Sequence, residues 1–152
     1  MRGVAGGRDG AFITEGDPML YSTFSYVLDY FAAMYPAVNI EIIPVITSVT
    51  AAAAALKQPL TRQGDILTIY PAGYDDRRLE QVLACSDTVA IYKTYRNKER
   101  ILAVLAEKGL AGRAVFAADI GRPGQKLVKD LAEIAGEDIG YFSLLIVPSA
   151  NT

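Results

Sequence analysis

Apolar residues fall at helical spacing between about Ser22 and Tyr35. Phe24, Val27, Leu28, Phe31 and Tyr35 recur at i, i+3 and i+4 intervals and share one face. Pro36 stops that helix, because proline lacks an N–H and clashes with the preceding turn. Val38, Ile40 and Ile42 then alternate with polar neighbours, the period-two pattern of a half-buried strand, and a shorter strand is expected over Ala11–Thr14. The alanine-rich segment after Thr47 and Ser48 predicts a slim helix ending near Lys57, with those hydroxyls as candidate N-caps.

Downstream the apolar runs become continuous. "DILTIYPA", "TVAIYK" (Thr88–Lys93), "RAVFAAD" and "YFSLLIVP" read as buried strands. Between them lie a helix from about Asp76 to Ala84, with Leu79, Val82 and Leu83 inward, and a helix in "NKERILAVLAEKGL" stopped by Gly109. "QKLVKDLAEIA" fits either a helix or a strand plus turn. Strands and helices alternate, so the expected class is α/β, with a mostly parallel or mixed sheet covered on both faces. Residues 1–10 carry four glycines and no apolar period, and flexibility is expected there. The hydroxyl- and proline-rich stretch Pro44–Val49 suggests a lobe boundary, giving residues 1–44 and 45–152.

Composition narrows the chemistry. The 152 residues are 51% hydrophobic and 21% charged, a globular balance. A formal net charge of -2 supplies no basic field for extended nucleic-acid binding, so no nucleic-acid partner is expected. There is no histidine, which removes histidine-based triads, bases and metal sites from this chain, and no metal is expected. The single cysteine, Cys85, cannot form an internal disulfide; it is expected to be a small buried apolar residue in a reducing, cytoplasmic setting. The apolar stretches are too short to span a bilayer as helices, so no membrane partner is expected.

Three stretches could carry ligand chemistry. Gly16-Asp17-Pro18 makes a turn, and Tyr21, Ser22 and Thr23 sit where the following helix leaves backbone N–H groups unpaired. That arrangement is either a capped turn or a site for an anionic group. Pro44-Val45-Ile46-Thr47-Ser48 is likewise a cap or a ligand contact. Pro71-Ala72 follows a buried strand, the place where open α/β sheets bind ligands. Arg62, Arg77, Arg78, Lys93, Arg96, Lys98, Arg100 and Arg122 are mostly expected as solvated charges, with a few available to hold an acidic small molecule.

Taken in order, "GDPMLYSTFSYVLDYF", "IEIIPVITSVTAAAA", "DILTIYPA", "DTVAIYKTYRN" and "YFSLLIV" resemble the tetrapyrrole (corrin) methyltransferases over about Ala11–Val147. The Tyr-Ser-Thr and Tyr-Phe-Ser details resemble the branch that methylates C20 of precorrin-2 or cobalt-factor-2 in cobalamin biosynthesis. The resemblance implies a two-lobed tetrapyrrole methylase fold that binds S-adenosyl-L-methionine between its lobes. No "GxGPGD" loop precedes Gly16, so this chain matches the end of the first lobe plus the second lobe, a mixed sheet flanked by helices.

The resemblance also implies cofactor contacts at Gly16, Asp17 and Leu20, extended by Tyr21, Ser22 and Thr23. It adds Thr47 and Ser48 after the linker, and Pro71, Ala72 and Lys93 at strand ends. The family's linker reads Pro-Gly-(Ile/Val)-(Ser/Thr), whereas this chain has Val45 in place of the glycine. A β-branched residue suits positive φ poorly, so either the turn differs here or cofactor binding is weakened. No catalytic base is singled out. A tetrapyrrole substrate and a homodimer are the partners implied. Another corrin-ring methyltransferase, or a non-catalytic remnant that binds ligand or oligomerises, is the alternative.

Overall fold

The computed structural model describes residues 9–73 and 76–150, so the expectation of flexibility for residues 1–8 falls outside the described residues. The chain divides into two compact units, Met1–Thr47 and Ser48–Thr152.

The first unit is built on helix α1, Phe24–Met34. Its apolar face follows the predicted spacing: Phe24 is buried, and Val27, Leu28 and Phe31 are half-buried. Phe12 packs on Phe24 at 5.5 Å between ring centres, and Phe31 on Tyr35 at 5.6 Å. Tyr35 N–H donates to Phe31 O at 2.8 Å and ends the helix beside Pro36.

Two strand expectations fail here. Ala11–Thr14 and Val38–Ile43 contain no strand. Val38, Ile40 and Ile42 do alternate half-buried with exposed neighbours. Alternation gives only the side-chain half of a strand, however. The other half is an adjacent backbone edge that takes up the N–H and C=O groups. No described residue of this unit lies in a ladder.

The second unit is a five-stranded mixed sheet. Its elements are α2 (Ser48–Leu56), β1 (Leu67–Pro71), α3 (Asp76–Cys85), β2 (Thr88–Tyr92), α4 (Lys98–Glu107), β3 (Val115–Ala118), β4 (Lys126–Val128) and β5 (Ser143–Val147). Short 3₁₀ turns occupy Thr94–Arg96 and Leu131–Ile134, so the ambiguous "QKLVKDLAEIA" resolves as strand plus turn. The spatial order is β1-β2-β5-β3-β4, with β1 and β2 parallel and the other pairs antiparallel.

Side-chain alternation across the sheet sorts two cores. Val89, Ile91, Phe116, Leu145 and Val147 pack with Leu79 of α3 and Ile101, Val104 and Leu105 of α4. Ala90, Ala117, Leu144 and Ile146 face the other way and pack with Val49 and Ala52 of α2. The alanine run thus meets alanines, and the slim helix can approach the sheet closely.

Helix ends follow the chain chemistry. Leu110 N–H donates to Leu105 O at 2.8 Å and Gly109 N–H to Ala106 O at 3.0 Å, with Gly109 at φ +67°. That is the Schellman ending, which glycine adopts without Cβ strain. Helix α2 ends in the same way around Lys57, whose φ is +55°.

Two further expectations are corrected. Cys85 is exposed, because it is the last residue of α3 and has turned away from the sheet face. Lys98, taken with the solvated charges, is 8% exposed: its ammonium donates to Ile134 O at 2.8 Å and to Glu137 O, which compensates its burial.

Candidate functional site

In the first unit, the Gly16-Asp17-Pro18 turn is organised by the Asp17 carboxylate. Asp17 Oδ1 accepts from Met19 N–H at 2.9 Å, an Asx turn, and Oδ2 accepts from Val45 N–H at 3.0 Å. The Gly-Asp-Pro loop and the Pro44–Thr47 stretch of this unit are therefore pinned together by one side chain across 28 residues of sequence. Gly16 has φ +78°, a conformation that glycine takes freely. Leu20 closes the turn, its N–H donating to Asp17 O at 3.3 Å.

Tyr21 has φ +53°, a strained choice for a bulky residue and a common mark of a constrained loop. Ser22 caps the start of α1, its Oγ accepting from Phe24 N–H at 3.1 Å, while Thr23 stands at the N-cap without a side-chain cap bond. Thr47 closes the unit. Val45 keeps a φ outside the left-handed region, since among the described residues the non-glycine positions with positive φ are Tyr21, Lys57, Lys93 and Asp119. The backbone here therefore accommodates valine without left-handed strain.

In the second unit the remaining candidates meet at one end of the sheet. Pro71 pairs with Tyr92, and Ala72 N–H donates to Tyr92 O at 2.8 Å. Tyr92 Oη accepts from Val49 N–H at 3.3 Å, in the first turn of the helix that Ser48 opens. Ser48, Pro71, Ala72 and Lys93 are thus gathered around Tyr92, which the sequence reading did not single out. A tyrosine ending an apolar strand reads as core, and nothing in the pattern marks its hydroxyl. Lys93 follows at φ +59°, turning the chain sharply out of β2 into the Thr94–Arg96 turn.

The same end carries groups supplied by other strands. The buried Thr94 and Ser143 hydroxyls lie 3.0 Å apart, and Ser143 Oγ donates to Gly140 O at 2.7 Å. Asp119 N–H donates to Phe142 O at 2.9 Å, and Asn97 Nδ2 donates to Gly73 O. The rim therefore joins the ends of β1, β2, β5 and β3. Among the described residues, no group of three or more metal-ligating side chains is placed to hold a metal ion, and no helix is long and apolar enough to cross a membrane.

This fold and rim define an α/β protein with its candidate ligand groups at strand ends, where open sheets present them. The family model of the Tetrapyrrole (Corrin/Porphyrin) Methylases matches residues 2–135, and the chain belongs to that family. The chain is 31% identical over 145 residues to a precorrin-2 C(20)-methyltransferase of a Sinorhizobium species, covering 95% of this chain and 58% of the relative. It is 37% identical over 143 residues to a probable cobalt-precorrin-2 C(20)-methyltransferase of Methanocaldococcus jannaschii, covering 90% and 57%.

The crystal structure of the methyltransferase CobJ superposes with a TM-score of 0.76 at 25% identity, over 98% of this chain and 68% of that one. A uroporphyrin-III C-methyl transferase from Thermus thermophilus, complexed with S-adenyl homocysteine, shares the fold at TM-score 0.62 and 22% identity, over 86% and 61%. The chain spans somewhat over half the length of the two C(20)-methyltransferase relatives.

Proposed function

We propose that this chain is part of an S-adenosyl-L-methionine-dependent C-methyltransferase of cobalamin biosynthesis that methylates C20 of precorrin-2 or cobalt-factor-2. The observation that carries the reading is the 31–37% identity, along 90–95% of this chain, to relatives bearing that name. The S-adenyl homocysteine complex of the Thermus thermophilus relative supports the choice of methyl donor.

The residues present suit such a donor. In the first unit, Gly16, Asp17, Leu20, Tyr21, Ser22, Thr23 and Thr47 would contribute a loop held rigid by the Asp17 hydrogen bonds. In the second unit, Ser48, Pro71, Ala72 and Lys93 would contribute a strand-end rim of backbone groups and small apolar side chains suited to a nucleoside. S-adenosyl-L-methionine supplies, when bound, a methyl group on sulfonium with a neutral leaving group. The protein's task is then alignment and exclusion of water, with little need for acid–base help. A chain without histidine is adequate to that task.

The same reading includes residues 1–44 as the end of a first lobe and 45–152 as a second lobe, a cytoplasmic setting, and a homodimer. The exposed apolar residues Phe12, Ile13, Met19, Tyr26, Ile43 and Ile46 of the first unit support self-association. Isothermal titration with S-adenosylhomocysteine, followed by transfer of labelled methyl to precorrin-2, tests the function. Binding of S-adenosylhomocysteine and label at C20 are expected. Absence of binding at millimolar concentration would overturn the reading.

A further inference from the structure

Five side chains form one continuous row over the strand ends of the second unit. Arg96 Nε donates to Tyr95 Oη at 2.8 Å, with the guanidinium carbon 5.4 Å from the Tyr95 ring centre. The Tyr95 and Tyr141 rings are 5.3 Å apart, and Tyr141 meets Phe142 edge to face at 5.3 Å. The Arg122 guanidinium carbon stands 4.1 Å from the centre of the Phe142 ring. The row is three linked rings with a cation at each end.

Three different connections supply it: the turn after β2, the approach to β5, and the loop after β3. They are fastened beneath the row by the buried Thr94–Ser143 hydroxyl pair and by Asp119 N–H donating to Phe142 O. The fastening is buried while the row faces outward. Tyr141 is 62% exposed and Arg122 52%. Arg122 has a carboxylate neighbour in Asp119, but at 3.8 Å across an exposed pair that interaction is weak. An anion could compete for the guanidinium.

We propose that this row is a subsite for the substrate itself, with the exposed Tyr141 ring, inclined 53° to Tyr95 and 89° to Phe142, laid against the macrocycle and Arg96 and Arg122 holding carboxylates on its rim. The proposal rests on the tetrapyrrole reading above and adds the residues that would select a polycarboxylate. Arginine suits the task because its planar fork matches a carboxylate and stays charged at any working pH. Aromatic rings supply apolar area with few rotamers to freeze.

The test titrates two porphyrins, the octacarboxylate uroporphyrin III and the tetracarboxylate coproporphyrin III, and separately S-adenosylhomocysteine, into the wild type and the variants Arg96→Gln, Arg122→Gln, Arg122→Lys and Tyr141→Ala. Each glutamine variant and Tyr141→Ala should raise the uroporphyrin Kd about tenfold, the size of one charge-assisted or stacking contact. The glutamine variants should raise the coproporphyrin Kd less. Arg122→Lys should recover part of the loss. The S-adenosylhomocysteine Kd should stay within about twofold in every variant, showing that the fold is intact.

Unchanged uroporphyrin binding in both glutamine variants would overturn the inference. So would a wild type that binds S-adenosylhomocysteine but not uroporphyrin, or variants that lose S-adenosylhomocysteine instead, which would give the row to the methyl donor. A wild type that binds uroporphyrin through the arginines but not S-adenosylhomocysteine would uphold the row and overturn only the methyltransferase reading.

Discussion

The Thr94–Ser143 pair permits a prediction with a built-in direction. Ser143 Oγ donates its one proton to Gly140 O at 2.7 Å, so in the 3.0 Å contact with Thr94 the threonine must be the donor. The two hydroxyls are therefore unequal. Thr94→Val removes a donor and leaves Ser143 still bonded to Gly140, so the cost is one net hydrogen bond, about 0.5–1.5 kcal/mol. Ser143→Ala removes the acceptor and strands the Thr94 hydroxyl at a site with no solvent exposure, besides releasing Gly140 O. That penalty is the desolvation of an unpaired donor, about 1–3 kcal/mol.

In the double variant the Thr94 hydroxyl is no longer there to be stranded, so the cost should fall below the sum of the singles by about 1 kcal/mol. The assay is urea unfolding of all four proteins followed by far-ultraviolet circular dichroism, with shared m-values as the check on comparable transitions. Thr94→Val costing more than Ser143→Ala, or strict additivity, would refute the assigned proton direction.

Other substitutions probe the units separately. Val45→Gly should destabilise the first unit by about 0.5–1 kcal/mol, because the valine φ is ordinary and glycine only adds unfolded-state entropy; amide exchange at Met19 and Val45 reads it. Lys57→Gly should raise the unfolding free energy by up to about 1 kcal/mol, read as a higher urea midpoint, since glycine relieves the φ of +55° at the end of α2. Lys98→Met leaves two carbonyls without their ammonium donor and should cost about 2–4 kcal/mol in urea unfolding. Ala52→Leu has no space against Ala90 and Ala117 and should cost about 1–3 kcal/mol in the same measurement.

The second unit was largely legible in the sequence, because its strands are apolar on both faces and its helices end in recognisable chemistry. Gly109 announced the end of α4, and the apolar run at Ser143–Val147 became a central strand buried along its whole length. The first unit was legible only in its helix. Val38, Ile40 and Ile42 show the alternation of a strand, yet a ladder depends on a partner edge that no local pattern encodes. In the candidate site, the turn at Gly16-Asp17-Pro18 was legible as a turn from its residue types. The Asp17 bond to Val45 was not, since it spans 28 residues. Nor were the left-handed backbone of Lys93 or the hydroxyl of Tyr92, because neither residue type advertises that use.

Strand β5 comes last of the five in sequence yet lies third in space, between β2 and β3. Before Ser143–Val147 is synthesised, the unit consists of two separate strand pairs, β1 with β2 and β3 with β4, and two-stranded pieces are marginal alone. Assembly therefore waits for a keystone made after both pairs it joins, and the contacts it closes are among the most distant in the unit. A nonsense codon just ahead of Ser143 should leave this unit as two unjoined halves and mark the product for degradation.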